Sequence, residues 1–485
     1  MERILHFIGG RQMPSADGRT FENIAPATGE VVSAVARGTA AEIERATLAA
    51  RTTLAGEWGS TTTAERADLL DRAAGLIEER LEDLALIESR DTGKTLTMAR
   101  TVDVPRAVAN LRFFAGAIRH DETAFHHMGS ALNYTLRKPV GVVGLISPWN
   151  LPLYLLSWKT GPALAMGNAV VAKPSELTPG TAAALAEILD EAGFPPGAFN
   201  VVHGFGPEAG QALVEHPEVK AISFTGGTET GRRVAATAAP LFKKLSLELG
   251  GKNPTIVFAD ADFEAAVAGA LRASFLNQGQ ICLCGSRILV ERPIHDAFVE
   301  KLVAGTRDLV IGNPASPDTF LGSLVSAEHR TKVENYLELA REEGGEVLCG
   351  GERPDLDPPF DRGAFLTPAV ISGLPPGCRT ATEEIFGPVV TVHPFDDEAE
   401  ALAIANGVNF GLSASVWTRD LDRAHRFGAS LKTGMVWVNT WLLRDLRTPF
   451  GGVKASGVGR EGGRWSLDFF SQTQNICIKL SEEAQ

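Results

Sequence analysis

From about Pro139 onward, short apolar runs alternate with longer segments whose apolar residues recur at helical spacing. GVVGLIS (141–147) is apolar at nearly every position and reads as a buried strand. LPLYLLSWKTGPALAMG then predicts a helix, and AVVAKP (169–174) the next strand. TPGTAAALAEILDEAG predicts a helix that opens with Thr178 as its cap before Pro179 and closes at Gly193. FNVVHG, AISFTGG and KKLSLELGG continue the alternation. Short buried strands separated by helices of this length predict an α/β fold with a Rossmann-like parallel sheet, helices on both faces, and a nucleotide-binding architecture.

A second alternating series follows Gly251, with a strand at NPTIVFAD, a helix through AAVAGALRASF, a strand at SRILVE, a helix from about 293 to 308, and strands near 389 and 435. Two α/β units in one chain predict a cleft between them, where small-molecule sites preferentially lie. Residues 1–118 hold long helical stretches rich in Ala, Glu and Arg, expected to pack on the first unit. No repeat or low-complexity segment interrupts the pattern.

Composition narrows what such a chain can do. Its 485 residues, 44% hydrophobic, can bury a large core, and no stretch reaches the roughly 18 to 20 uninterrupted apolar residues of a membrane span. The opening MERILHFIGG lacks the pattern of a secretory signal, so the expected location is the cytoplasm. Cysteines at 282, 284, 349, 378 and 477 are too few and scattered for a disulfide framework. A net charge of −13 argues against a nucleic-acid or membrane partner, so an anionic small molecule would need its own local cations.

The candidate chemistry centres on FLNQGQICLCGSR (275–287), which sets Cys282 and Cys284 one residue apart. Metal binding needs more convergent ligands than Cys-x-Cys supplies, and no second pair stands elsewhere at zinc-like spacing, so no metal is expected. A redox dithiol usually has two intervening residues. A nucleophile and an inert buried thiol remain, and cysteine alone does not separate them. Three further stretches favour the nucleophile: SPWN (147–150), LELGG (247–251) and EEIFGP (383–388).

These stretches, with LELGGKNP, NQGQICLCGSR and PFGGVKASGVGRE, occur in an order and spacing that resembles the NAD(P)-dependent aldehyde dehydrogenase superfamily over essentially the whole chain. The resemblance implies Cys282 as nucleophile, Cys284 as bystander, and Glu248, 34 positions earlier (282 − 248), as the base that activates water. Asn150 and the Cys282 backbone N–H are implied as donors to the oxyanion, and Lys159 and Glu461 as a proton relay. Physical logic agrees: thiolate attack on an aldehyde creates an alkoxide that needs hydrogen-bond donors, and loss of hydride leaves a thioester for water to open. A carboxylate at Glu248 also fits hydrolysis rather than acyl transfer to coenzyme A.

For the cofactor, FTGGTETG (224–231) follows a strand and starts a helix, so its N–H groups, with Gly226 and Gly227, face a pyrophosphate. GFGPEAG (204–210), with Gly206, is one residue off the dinucleotide fingerprint. By resemblance, Lys173 and Glu176 reach the adenosine ribose, Trp149 and Leu249 lie along the cofactor, and Glu384 with Phe386 holds the nicotinamide ribose. Glu176 favours NAD, since a carboxylate beside the 2′-hydroxyl repels a 2′-phosphate. Gly227 stands where many relatives carry serine, leaving the backbone to make that phosphate contact.

WLLRDLR (441–447) speaks to the substrate, because an arginine in an otherwise apolar aldehyde entrance is costly unless an anion arrives. Together with ARTVDVPR (99–106) and NLPLYLLSWK, it resembles the subgroup oxidising 2-aminomuconate and 2-hydroxymuconate 6-semialdehydes. That resemblance implies two carboxylate-binding arginines, which by pattern fall on Arg100 and Arg444, with Arg106 and Arg112 competing for the role of Arg100. Other substrates, such as succinate semialdehyde or a neutral aromatic aldehyde, keep the same chemistry, and a catalytically silent binding relative is the remote alternative. The expected division is 1–118 with 139–250 for NAD, 251–450 for catalysis, and 119–138 with 466–485 as a β element joining a homodimer or homotetramer.

Overall fold

The structure, a computed structural model, describes residues 2–480. Residues 481–485 of the expected assembly tail lie outside the described residues. Two large sheets organise the chain, and the candidate groups Asn150, Glu248 and Cys282 gather where their strand ends meet.

The first sheet has eight strands, of which Lys244–Glu248, Val219–Thr225, Val142–Ile146, Ala169–Lys173 and Phe199–Val201 run parallel in that spatial order. Every residue of Val142–Ile146 and Ala169–Lys173 is buried, as unbroken apolar runs demand when helices cover both faces. Val142–Ile146 comes first of these five in the chain; the next two add on one side, and the last two on the other. The order therefore reverses between Val142–Ile146 and Val219–Thr225, and such a reversal opens a crevice outside the carboxyl ends of the strands. Pro148 to Asn150, Gly226, Gly227 and Glu248 all stand at those ends.

The second sheet has seven strands, in the order Glu346–Cys349, Ala369–Ser372, Val389–Phe395, Arg287–Glu291, Pro254–Val257, Ser413–Trp417 and Met435–Val438. Only the pairing of its first two strands is antiparallel. The nucleophile segment bridges the helix Phe263–Phe275 and the strand Arg287–Glu291. One apolar cluster draws on both units, packing Leu151 and Leu155 from the first against Ile281, Leu283, Trp437 and Trp441 from the second. Cys282 packs against this cluster.

A third, three-stranded sheet pairs Ala131–Pro139 with Phe125–His127 and with Ser471–Lys479. QNICIKL thus finds its partner within the chain, through nine register pairs from Ser471↔Pro139 to Lys479↔Ala131. Its apolar side chains Phe125, Met128 and Ile478 are exposed.

Two local features differ from the sequence reading. The amino-terminal region is not only helical, because five strands lie within residues 2–36, among them His6–Ile8 and Arg11–Met13 at the edge of the first sheet. Strands of three residues are too short to show a period. Nor does Thr178 cap its helix: its hydroxyl is buried without a partner, and Asp91 Oδ2 accepts from Gly180 N instead, at 2.8 Å. A carboxylate brought in from another element replaces the local cap.

His6 and His203 stack 6.2 Å apart beneath the edge of the first sheet. Burial lowers their pKa values to about 4 and about 3, so both rings are neutral in the fold at neutral pH. The unfolded chain takes up protons near pH 6.5, whereas the folded chain resists until far lower, so stability is lost as pH falls below 6.5. For His203 alone the loss by pH 5 is about 2 kcal/mol. Urea midpoints at pH 7 and pH 5 should therefore differ less in His203→Leu than in the parent; an equal difference would remove the buried ring as the cause.

Candidate active site

Asn150, Glu248 and Cys282 line one cavity of about 240 Å³, together with Trp149, Gly226 and Glu384. The nucleophile segment is pinned from three directions. Asn253 Nδ2 donates to the carbonyls of Cys282 (2.7 Å) and Cys284 (2.9 Å), Trp441 Nε1 donates to the carbonyl of Leu283 (2.9 Å), and Asn150 Nδ2 donates to that of Gln280 (2.9 Å). Upstream, Asn277 and Gln278 take left-handed backbone angles (φ 53° and 56°), and Asn277 Nδ2 donates back to Asn150 O at 3.2 Å. Residues outside glycine adopt that region at a cost, so surrounding contacts must hold the turn. Asn150 Nδ2 spends one hydrogen on the segment and has no second acceptor among the described residues.

Enclosure pushes the Cys282 thiol above the ordinary range, and the neighbouring Glu384 and Glu248 carboxylates push it further. Cys284, fully buried, is raised to about 12, mainly by burial. Both carboxylate oxygens of Glu248 are buried without a hydrogen-bond partner. Burial and the charge of Glu461 raise Glu248 well above the usual carboxylate range, against the pull of Lys159, Arg444 and Arg460. Beside it, Lys159 Nζ donates to Glu461 Oε1 (2.6 Å) and to Ser223 Oγ (2.9 Å), and Ser223 donates to the same Glu461 oxygen (3.1 Å). Lys159, Ser223 and Glu461 are all buried.

The cofactor side of the cavity fits a dinucleotide. No side chain caps the helix Thr228–Ala238, whose N-terminus starts at Gly227, and a Cβ at Gly227 would meet nothing within 4 Å. Thr225 Oγ1 is buried without a partner at the same strand end. Glu384 Oε1 accepts from Gly251 N at 2.8 Å, and a Cβ on Gly250 would clash with Glu384 at 2.1 Å, so glycine is what lets the carboxylate reach the cavity. Phe386 adopts φ 63°, with its ring 5.2 Å from Trp149. Leu249 also lines the cavity. Lys173 and Glu176 pair at 2.8 Å outside that lining, and Gly206, itself exposed, opens the π-helical turn Gly206–Gly210.

His329 and Lys332 line the same cavity and were not singled out from sequence. His329 Nε2 donates to Phe386 O at 2.7 Å and so braces the left-handed residue, while burial keeps its pKa down at about 4. Lys332 has no ion-pair partner among the described residues. SAEHRTK reads as an ordinary helix start, and nothing within it signals a site.

One predicted ligand is corrected. Arg100 lies on the surface and spends its guanidinium on Glu82, at 2.7 to 3.0 Å. Arg112 likewise pairs with Glu78 on the exposed side. Arg106 is the arginine that turns inward, with its Cζ 5.2 Å from the centre of the Tyr154 ring and its Nε and Nη2 buried without partners. The π-helical turn Ala99–Asp103 precedes it, and the six residues from Arg100 to Arg106 reverse the helix face. Arg444 lies between Trp158 (4.6 Å) and Phe450 (4.2 Å), again with Nε and Nη2 buried and unpartnered.

Doubly wound sheet, uncapped helix start and enclosed thiol beside a raised carboxylate fit the class of dinucleotide-dependent dehydrogenases. The chain belongs to the aldehyde dehydrogenase family, whose sequence model matches residues 13–476. It is 48% identical to the 2-hydroxymuconic semialdehyde dehydrogenase of Pseudomonas sp. (strain CF600), covering 99% of this chain and 100% of that one. It is 50% identical to the 2-aminomuconic semialdehyde dehydrogenase of Danio rerio, over 98% of each chain. An NAD+ complex of an aldehyde dehydrogenase from Bacillus cereus superposes with a TM-score of 0.96 at 40% identity, covering 99% of this chain and 97% of that one.

Proposed function

We propose that this chain oxidises the aldehyde of a conjugated, carboxylated semialdehyde, of the 2-hydroxymuconic or 2-aminomuconic type, to the dicarboxylate with NAD. The observation that carries the reading is the pair Arg106 and Arg444. Each has two buried guanidinium nitrogens without a hydrogen bond, and neither has an ion-pair partner among the described residues. Burial lowers the pKa of Arg444, and Arg106 lowers it further by like-charge repulsion. Buried cations left without partners are costly, and a carboxylate relieves both the repulsion and the missing hydrogen bonds. The relatives named above, which share about half their residues with this chain, support the same substrate class.

Asn150 Nδ2 and the Cys282 N–H, which donates to no other residue among the described residues, meet the oxygen of the aldehyde as Cys282 Sγ gives up its proton to water and bonds to the aldehyde carbon. Gly226, Gly227, Glu384 and Phe386 would hold the dinucleotide, whose nicotinamide would supply the hydride acceptor. The carbon is thereby oxidised to a thioester on Cys282. Glu248 then takes a proton from water, the hydroxide adds to the thioester, and the carboxylic acid leaves as the sulfur is released. The Lys159–Glu461–Ser223 network lies ready to pass the proton onward. Glu176, beside Lys173, favours NAD over NADP by repelling a 2′-phosphate. The exposed apolar edge at Phe125, Met128 and Ile478 suits the contact between copies expected for residues 119–138 and 466–485.

Replacing Arg444 with alanine should cost about 1.5 to 3 kcal/mol in kcat/KM for the carboxylated substrate, roughly a 10- to 150-fold loss. The ratio of kcat/KM for 2-hydroxymuconic semialdehyde over hexanal is the readout. An Arg444→Ala enzyme that keeps the parental ratio would exclude the carboxylate assignment.

A further inference from the structure

The helix Pro152–Ala165 begins two residues after Asn150 and carries Tyr154 and Trp158 four residues apart, one turn along the same face. Each ring bears a cation: Arg106 over Tyr154 and Arg444 over Trp158. Tyr154 therefore stands between the oxyanion donor at the head of the helix and the Arg444 guanidinium one turn further on. Arg106 lies over the Tyr154 ring at 5.2 Å and Arg444 over Trp158 one turn on at 4.6 Å, which places the phenol close to both arginines.

Tyr154 is held in place from behind. Its carbonyl accepts from Asn110 Nδ2 (3.1 Å) and Ser157 Oγ (2.9 Å), and its half-buried ring packs against the cluster that contains Leu151, Leu155 and Cys282. Its hydroxyl has no hydrogen-bond partner among the described residues. A fixed ring, two cations at its flanks and an uncommitted hydroxyl are what a carboxylate site lacks if it is built from arginines alone. Guanidinium groups supply charge, while a phenol adds a neutral donor that does not add to the repulsion between the cations.

We propose that Tyr154 determines specificity by donating a third hydrogen bond to the carboxylate held by Arg106 and Arg444. This inference rests on the carboxylated-substrate reading given above. A carboxylate offers about four lone-pair sites, enough for two guanidinium edges and one phenol. Because Tyr154 sits one helical turn before Trp158, its bond fixes how far the carboxylate lies from the reacting aldehyde.

The test compares the parent, Tyr154→Phe, Tyr154→Leu and Arg444→Ala as full-length enzymes with saturating NAD. The ratio of kcat/KM for 2-hydroxymuconic semialdehyde over hexanal is measured, together with inhibition by adipate as a simple dicarboxylate. Tyr154→Phe removes only the hydroxyl and should lower the ratio and weaken adipate by about tenfold, mainly through KM. Tyr154→Leu also removes the ring beneath Arg106 and should lower both further. If Tyr154→Phe keeps the parental ratio and adipate inhibition while Arg444→Ala loses them, the role of Tyr154 is overturned and the carboxylate reading stands. If Arg444→Ala also keeps them, that reading fails and this inference falls with it.

Discussion

Cys282→Ser should produce no NADH above background with any aldehyde, a loss of about 10⁴-fold or more. Serine keeps the volume and the backbone contacts, so the three ties from Asn253, Trp441 and Asn150 should survive the change. What it removes is the one atom able to attack at neutral pH, because a hydroxyl ionises far less readily than a thiol. Cys284→Ser is the internal control: Cys284 is buried and lines a separate small cavity with Ile281, Ser274 and Gly279 rather than the main one. Mass spectrometry of enzyme quenched during turnover should find acyl mass on the peptide carrying Cys282. Oxidation that persists in Cys282→Ser, or adduct mass confined to Cys284 in the parent, would overturn the nucleophile assignment.

Glu248→Gln should separate the two halves of the reaction. Gln keeps the shape of the side chain and loses the base, so the first equivalent of NADH should still form while steady turnover falls by about 10²- to 10⁴-fold. The thioester on Cys282 should then accumulate. The pH dependence follows from the raised pKa of Glu248, caused first by burial and then by Glu461. A base of raised pKa is mostly protonated at low pH, so hydrolysis in the parent should climb with pH above the ordinary carboxylate range. In Glu248→Gln that rise should vanish. Rapid-mixing measurements in which burst and steady rate fall together would show that Glu248 serves some step before the thioester.

Several elements were legible because their signals are local. GVVGLIS and AVVAKP are apolar without interruption, and each became a strand buried on both faces, Val142–Ile146 and Ala169–Lys173. The helix expected over about 293–308 is Arg292–Arg307. Cys282 is preferred to Cys284 through the family resemblance, which places the nucleophile directly after GQ-x, and in the structure that position follows the turn at Asn277 and Gln278. Thr178 was misread for the complementary reason. A cap is a local signal, yet Asp91, 89 residues before Gly180, satisfies the helix end instead.

Arg100 and Arg106 mark the boundary between the two kinds of information. Both sit in ARTVDVPR, and composition cannot say which one turns inward. The choice depends on the phase of the helix after the π turn at Ala99–Asp103, on Glu82 taking Arg100, and on the Tyr154 ring waiting beneath Arg106. His329 and Lys332 entered the cofactor cavity in the same way, carried there by the packing of one helix. By itself the sequence determined the α/β class, because hydrophobic period is a property of neighbouring residues, and its resemblance in motif order pointed to Cys282, Glu248 and Asn150 as the candidate catalytic groups. Only the tertiary structure decided which arginines turn inward without partners and which side chains line the cavity, because those depend on helix phase and on partners far apart in the chain.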